Sequence, residues 1–322
     1  VPDGVGAFAL TGMTPFGDRL TDAVGERRSQ IVLGIDPDPG RLWPAALELA
    51  EAGDLRRGER SAGERAGRAV AAHCRLLLEA AGEECVAVKP QVACFERLGA
   101  PGWSALHEVV GAARERGLIV IADGKRGDID ISATAYGQAF FGSTSTPFGE
   151  VPGLGADALT VSPLLGRDSL VPLVEAARAR GGGLLVLTRT SNPGAADIQD
   201  RELACGGAVS DLIARLVDEL GRPGIGRSGL GDVGAVTGAT AGEHLERLRA
   251  EMPAAVMLLP GIGPQGGSGG GLAPAFAPGP AGGLVSASRA IVYAHEAGGG
   301  DPAAGAQREA RRLRELIWDL YS

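Results

Sequence analysis

Cysteine is sparse in this sequence, four among 322 residues, and Cys74, Cys85, Cys94 and Cys205 form no C-x-x-C pair. That spacing argues against a zinc ribbon or a dithiol redox centre and leaves the thiols as expected small, buried hydrophobes. His73 and Cys74 are adjacent, but neighbours on a helix point about 100° apart and cannot easily share one ion. His107, His244 and His295 have no Ser or Asp partner at a strand end, so a Ser-His-Asp triad has no support. No apolar run reaches the roughly 20 residues that cross a bilayer. The first dozen residues hold no Lys or Arg for the n-region of a signal peptide. An excess of positive charge is missing too: the net charge of -8 disfavours nucleic acid or an anionic membrane as partner, while one local basic pocket stays compatible with it. A cytoplasmic protein is expected.

What is present is ordinary for a folded chain, with 44% hydrophobic and 22% charged residues. Short apolar runs alternate with longer stretches rich in Ala, Leu, Arg and Glu, the pattern of βα units around a parallel sheet. The runs are "IVLGID" from 31, "CVAVKP" from 85, "LIVIAD" from 118, "DALTVSP" from 157, "GLLVLTRT" from 183, "VGAVTG" from 233, "VMLLPG" from 256 and "GLVSAS" from 283. Eight of them predict a closed (β/α)8 TIM barrel of one domain over residues 16–322, with residues 1–15 as a flexible tail or a remnant foreign to the fold. Helices are predicted for "PFGDRLTDAVGERRS", as the barrel floor, for "ALHEVVGAARERG" from 105, for "SLVPLVEAARARG" with a Ser-to-Pro start at 169, and for "QREARRLRELIWDLY". The Gly/Pro-rich stretch 263–283 is expected by composition to be a surface loop.

In such a barrel the C-terminal strand ends converge on one mouth. The charges stand there: Asp36 ends the first strand, Lys89 the second, and Asp123 and Lys125 the third. Asp123 and Lys125 are two apart on an extended segment, so both side chains are expected on one side. Asp128 falls in the following turn or first helical turn, where a carboxylate suits the helix dipole.

Taken together, "LGIDP", "VAVKP", "DGKRGDI", "TRTSNPGA", "PGIGPQGG" and "SRAIVYA" resemble the orotidine 5'-phosphate decarboxylase family, in its longer bacterial branch, from about residue 16 to the C-terminus. The resemblance implies a TIM barrel that converts orotidine 5'-monophosphate to uridine 5'-monophosphate (UMP) and CO2, the last step of de novo UMP synthesis, with no cofactor and no metal. It implies Lys125 as proton donor to C6, Asp123 against the departing carboxylate, and Lys89 completing the charge array. Asp128 is implied to serve the other subunit's site in a homodimer. Asp36 would bind the ribose, Ser191 the pyrimidine edge, and Gln265 with Arg289 the phosphate, which makes the stretch 263–283 a candidate lid. Ser132 stands where the family usually has Thr and keeps the hydroxyl. Two alternatives share the barrel. A Mg2+-dependent sugar-phosphate synthase would need a carboxylate where Lys89 stands, and a non-catalytic phosphonucleotide sensor would not need both lysines and both aspartates.

Overall fold

The computed structural model describes residues 13–52, 60–238, 242–261 and 269–322. Eight parallel strands close a barrel: β1 Ile31–Ile35, β2 Ala87–Pro90, β3 Ile119–Arg126, β6 Ala158–Val161, β7 Gly183–Arg189, β8 Val233–Thr237, β9 Met257–Pro260 and β10 Gly283–Ala287. β1 closes the ring by pairing with both β2 and β10. All eight predicted strands are present. Strands buried on both faces read as continuous apolar runs, which is why they were visible without alternation.

The two faces of each strand nevertheless go to different cores. Ile31, Leu33 and Ile35 of β1 pack in the layer between sheet and helices. Val32 joins Ala87, Ile119, Ile121 and Ala158 in the barrel interior, together with Phe16, Leu20 and Val24 of the floor helix Phe16–Arg27. By the same period of two, Lys89 lies on the interior side of β2 with Ala87, and Asp123 on the interior side of β3 with Ile121. Register alone thus directs these two charges into the barrel mouth.

Outer helices close the fold. Helix Ala62–Ala81 starts with a reciprocal capping box between Ser61 and Glu64, and helix Pro302–Tyr321 starts with Asp301 accepting from the Ala304 N–H at 2.8 Å. Helix Ala100–Glu115 starts before the stretch predicted from 105 and covers it up to Glu115. The helix predicted from Ser169 begins earlier, at Arg167, and places Pro172 inside it. Sequence rules put proline in the first turn, whereas here the preceding residues Arg167–Ser169 supply that turn.

Three features differ from expectation. An antiparallel hairpin, β4 Ser143–Thr146 and β5 Gly149–Pro152, lies between β3 and β6. Part of the Gly/Pro-rich stretch is packed instead of forming an open loop: Leu272, Ala275, Phe276 and Ala281 are buried, and Phe276 stacks on Tyr321 with ring centroids 4.2 Å apart. The buried Arg249 guanidinium holds this segment by donating to the carbonyls of Pro274, Ala275 and Gly282, and also to those of Met252, Pro253 and Ala255. Burial pushes its pKa down to about 10. Finally, Cys74 and Cys85 are buried as expected, but Cys94 is half-buried and Cys205 exposed. Among the described residues no helix is long and apolar enough to cross a membrane.

Candidate active site

Asp123 is the centre of the mouth. It is buried, and each carboxylate oxygen accepts two hydrogen bonds. Oδ2 takes one from Lys89 Nζ at 2.6 Å and one from Gln91 Nε2 at 3.1 Å. Oδ1 takes one from Lys125 Nζ at 2.5 Å and one from Thr160 Oγ1 at 2.8 Å. Burial alone would raise the Asp123 pKa, but the two ammonium groups hold it below the ordinary carboxylate range. Asp123 therefore stays ionised at neutral pH.

Two cations around one anion leave a net positive charge, and the geometry decides where it is presented. Only 10% of the Lys89 side chain is exposed, against 46% for Lys125. Lys125 is the charged tip that an entering molecule meets. The chain has only two lysines, Lys89 and Lys125, among its 31 Lys and Arg residues, and both lie here. That scarcity was a usable sequence signal. An arginine fork would bind such a carboxylate as well, but it cannot give up a proton near neutral pH.

Asp123 and Lys125 converge as expected, though not by plain alternation. The register between β3 and β6 runs Ala122 with Leu159 and then Arg126 with Val161. Asp123, Gly124 and Lys125 are thus three residues facing Thr160 alone, a bulge that re-aims the lysine. Lys125 sits at φ 46°, in the left-handed region. Gly124, between Asp123 and Lys125, is closely packed: a Cβ there would lie 3.1 Å from Leu159 Cδ1 and 3.4 Å from the Phe140 ring, so a larger residue would need those side chains to shift. Thr160 and Gln91 are contributors that sequence reasoning missed. The only hints were a lone hydroxyl in "ALTV" and an amide two residues after Lys89.

The remaining predicted residues lie around this cluster at varying removes. Asp36 and Arg289 line one cavity of about 180 Å3 with Asp38, Arg41, Ser288 and Tyr293. Ser191 is exposed between the ends of β8 and β9: a Cβ on Gly238 would come 2.9 Å from its Cα, and one on Gly261 3.8 Å from its Oγ. Its loop is braced by the Arg189–Asp200 ion pair, 2.8 Å, and by Gln199 Oε1 accepting from the Thr190 N–H at 2.7 Å. Gln265 lies outside the described residues.

Asp128 and Ser132 do not join the cluster of their own chain. Ser132 is exposed and Asp128 half-buried, and among the described residues Asp128 forms no ion pair; its Oδ1 accepts from the Ile129 N–H at 2.8 Å. Next to Lys125 opens a cavity of about 770 Å3, walled largely by Leu164, Leu187, Ile198, Leu212, Ile213 and Leu216. His73, weighed as a metal ligand, uses its Nδ1 to accept from the Trp43 N–H at 3.1 Å, and burial pushes its pKa down to about 4.

The mouth can therefore hold an anion against Lys125, stabilise new negative charge beside it and deliver a proton. Residues 47–299 match the model of the orotidine 5'-phosphate decarboxylase / HUMPS family. The orotidine 5'-phosphate decarboxylase of Rhodopirellula baltica is 40% identical over 88% of this chain and 90% of its own. That of Deinococcus radiodurans is 42% identical over 88% and 91%. The solved OMP decarboxylase of Leishmania donovani superposes with a TM-score of 0.68 at 28% identity, over 96% of this chain and 99% of that one.

Proposed function

The chain belongs to the orotidine 5'-phosphate decarboxylase family, and we propose that it converts orotidine 5'-monophosphate to UMP and CO2 through a C6 carbanion that Lys125 stabilises and then protonates. One observation carries this mechanism: the chain's only two lysines grip a single buried carboxylate, and one of them faces the mouth.

Loss of CO2 from C6 leaves an sp2 lone pair that the pyrimidine ring delocalises poorly, so stabilisation must come from fixed charge nearby. Opposite unit charges about 4 Å apart attract by about 4 kcal/mol at an effective dielectric of about 20. Asp123 holds the Lys125 ammonium group in a direct ion pair at 2.5 Å, while Lys89 in turn helps to keep Asp123 ionised. Each charge thus maintains its neighbour in the state the step needs. The logic differs from acid–base pairs tuned toward neutral pKa values, and it does not depend on Asp123 repelling the substrate carboxylate. The reaction so drawn uses no cofactor and no metal. Lys89, where a magnesium-binding barrel would need a carboxylate, places an ammonium group 2.6 Å from Asp123 and would repel a divalent ion.

Asp36 is assigned to the ribose, Ser191 to the pyrimidine edge, and Arg289 with Gln265 to the phosphate, whose binding energy orients the ring far from the reacting carbon. Arg289→Ala is expected to raise KM by about 10- to 100-fold, the loss of one charge-assisted pair, with a smaller effect on kcat. An unchanged KM in steady-state assays would remove Arg289 from the phosphate site.

The working unit is proposed to be a homodimer in which Asp128 and Ser132 complete the partner's site. The exposed Ser132 and the half-buried Asp128, which has no ion-pair partner among the described residues, support this, as do the large apolar side chains that follow the adjacent strands β3 and β6. Ile131 is 86% exposed and Leu164 79% exposed. A cytoplasmic location belongs to the same proposal.

A further inference from the structure

We propose that Thr160 is a positioning residue, whose one hydroxyl fixes both the bulged backbone of Lys125 and the carboxylate of Asp123. The inference rests on the decarboxylase reading and adds to it a residue that the reading does not require.

A bulge removes backbone groups from the ladder, and a buried N–H left without an acceptor is costly. Here the Lys125 N–H donates to Thr160 Oγ1 at 3.0 Å. The same oxygen donates its proton to Asp123 Oδ1 at 2.8 Å. Thr160 is 1% exposed, so the hydroxyl has no ready substitute in solvent. The β-branched side chain is stiff at χ1, which holds the oxygen between its two partners.

The consequence for Lys125 follows from its backbone. A long L side chain adopts φ 46° only where the surroundings enforce it. Gly124 packs closely against Leu159 and Phe140, but it does not select the lysine's side. Without the Thr160 acceptor, β3 is free to relax toward regular pairing, and shifting a strand by one residue turns its side chains to the opposite face. Lys125 would then leave the mouth while Lys89 kept its grip on Oδ2. The hydroxyl is thus a register pin for the proton donor, working through Lys125 and Asp123 and needing no contact with substrate.

The test compares Thr160→Val, which keeps shape and removes the hydroxyl, with Thr160→Ser, which restores it. Thr160→Val is expected to lower kcat by about 100-fold, the scale of an ångström-level misplacement, with KM changed less than about threefold; Thr160→Ser is expected to stay within about fivefold of the parent. Because the chain has two lysines, 15N-lysine labelling yields two side-chain signals. The Lys125 signal is expected to move in the valine chain and return in the serine chain. A valine chain within about threefold of the parent kcat, or a serine chain as impaired as the valine one, would overturn the proposal. If the valine chain does not fold, Thr160→Ala takes its place in the same comparison. A parent protein that never turns over orotidylate would instead sink the decarboxylase reading, and the lysine signals would still decide the positioning claim.

Discussion

Lys125→Ala is expected to lower kcat for orotidine 5'-monophosphate by about 100,000-fold while UMP still binds. The size follows from two losses. An ammonium group beside the forming carbanion is worth about 4 kcal/mol, or about 1,000-fold in rate. A positioned proton donor contributes at least about 100-fold more. Binding should survive because the ribose and phosphate contacts assigned to Asp36 and Arg289 lie on a separate cavity. No other lysine can substitute: Lys89, the only other one, is buried against Asp123. Single-turnover assays combined with UMP titration separate the two effects, and a decrease of only about tenfold would show that Lys125 is not the donor.

Mixing Lys125→Ala chains with Asp128→Ala chains, each inactive alone, is expected to recover about a quarter of wild-type activity. With random pairing half of the dimers are mixed, and in each of these one of the two sites receives an intact Lys125 and an intact Asp128. The prediction follows from the placement of Asp128, half-buried and, among the described residues, without an ion-pair partner in its own chain, just beyond the bulge that aims Lys125. A carboxylate serving its own site would give no recovery. Activity that stays absent when mixed dimers are shown to form would place Asp128 in the site of its own chain.

The barrel could be read from the sequence because each strand is buried on both faces, and the charged strand ends stood out against those runs. Lys89 and Asp123 were expected at the barrel mouth as strand-end charges, and the interior core shows that they point inward. The bulge was hidden. A left-handed lysine leaves no mark in sequence, since the acceptor that enforces it, Thr160, lies 35 residues away on another strand. The packed half of the Gly/Pro-rich stretch was hidden for a related reason: its order comes from Arg249 and Tyr321, both distant in sequence, while its composition alone signals a loop. The hairpin at 143–152 was missed because short polar strands with an exposed tip, Phe148, lack the apolar alternation that betrays a half-buried sheet. Asp128 and Ser132 were legible as motif positions, but which chain's site they serve is not a property of a single chain's sequence.

The central claim is that this barrel removes CO2 from orotidylate with lysine chemistry and no metal ion. Incubating the purified protein with orotidine 5'-monophosphate in the presence of a strong chelator, while following ultraviolet absorbance and released CO2, tests it directly. The account predicts UMP and CO2 in equal amounts at a rate the chelator does not change. Binding without turnover, or turnover that disappears with the chelator, would contradict it.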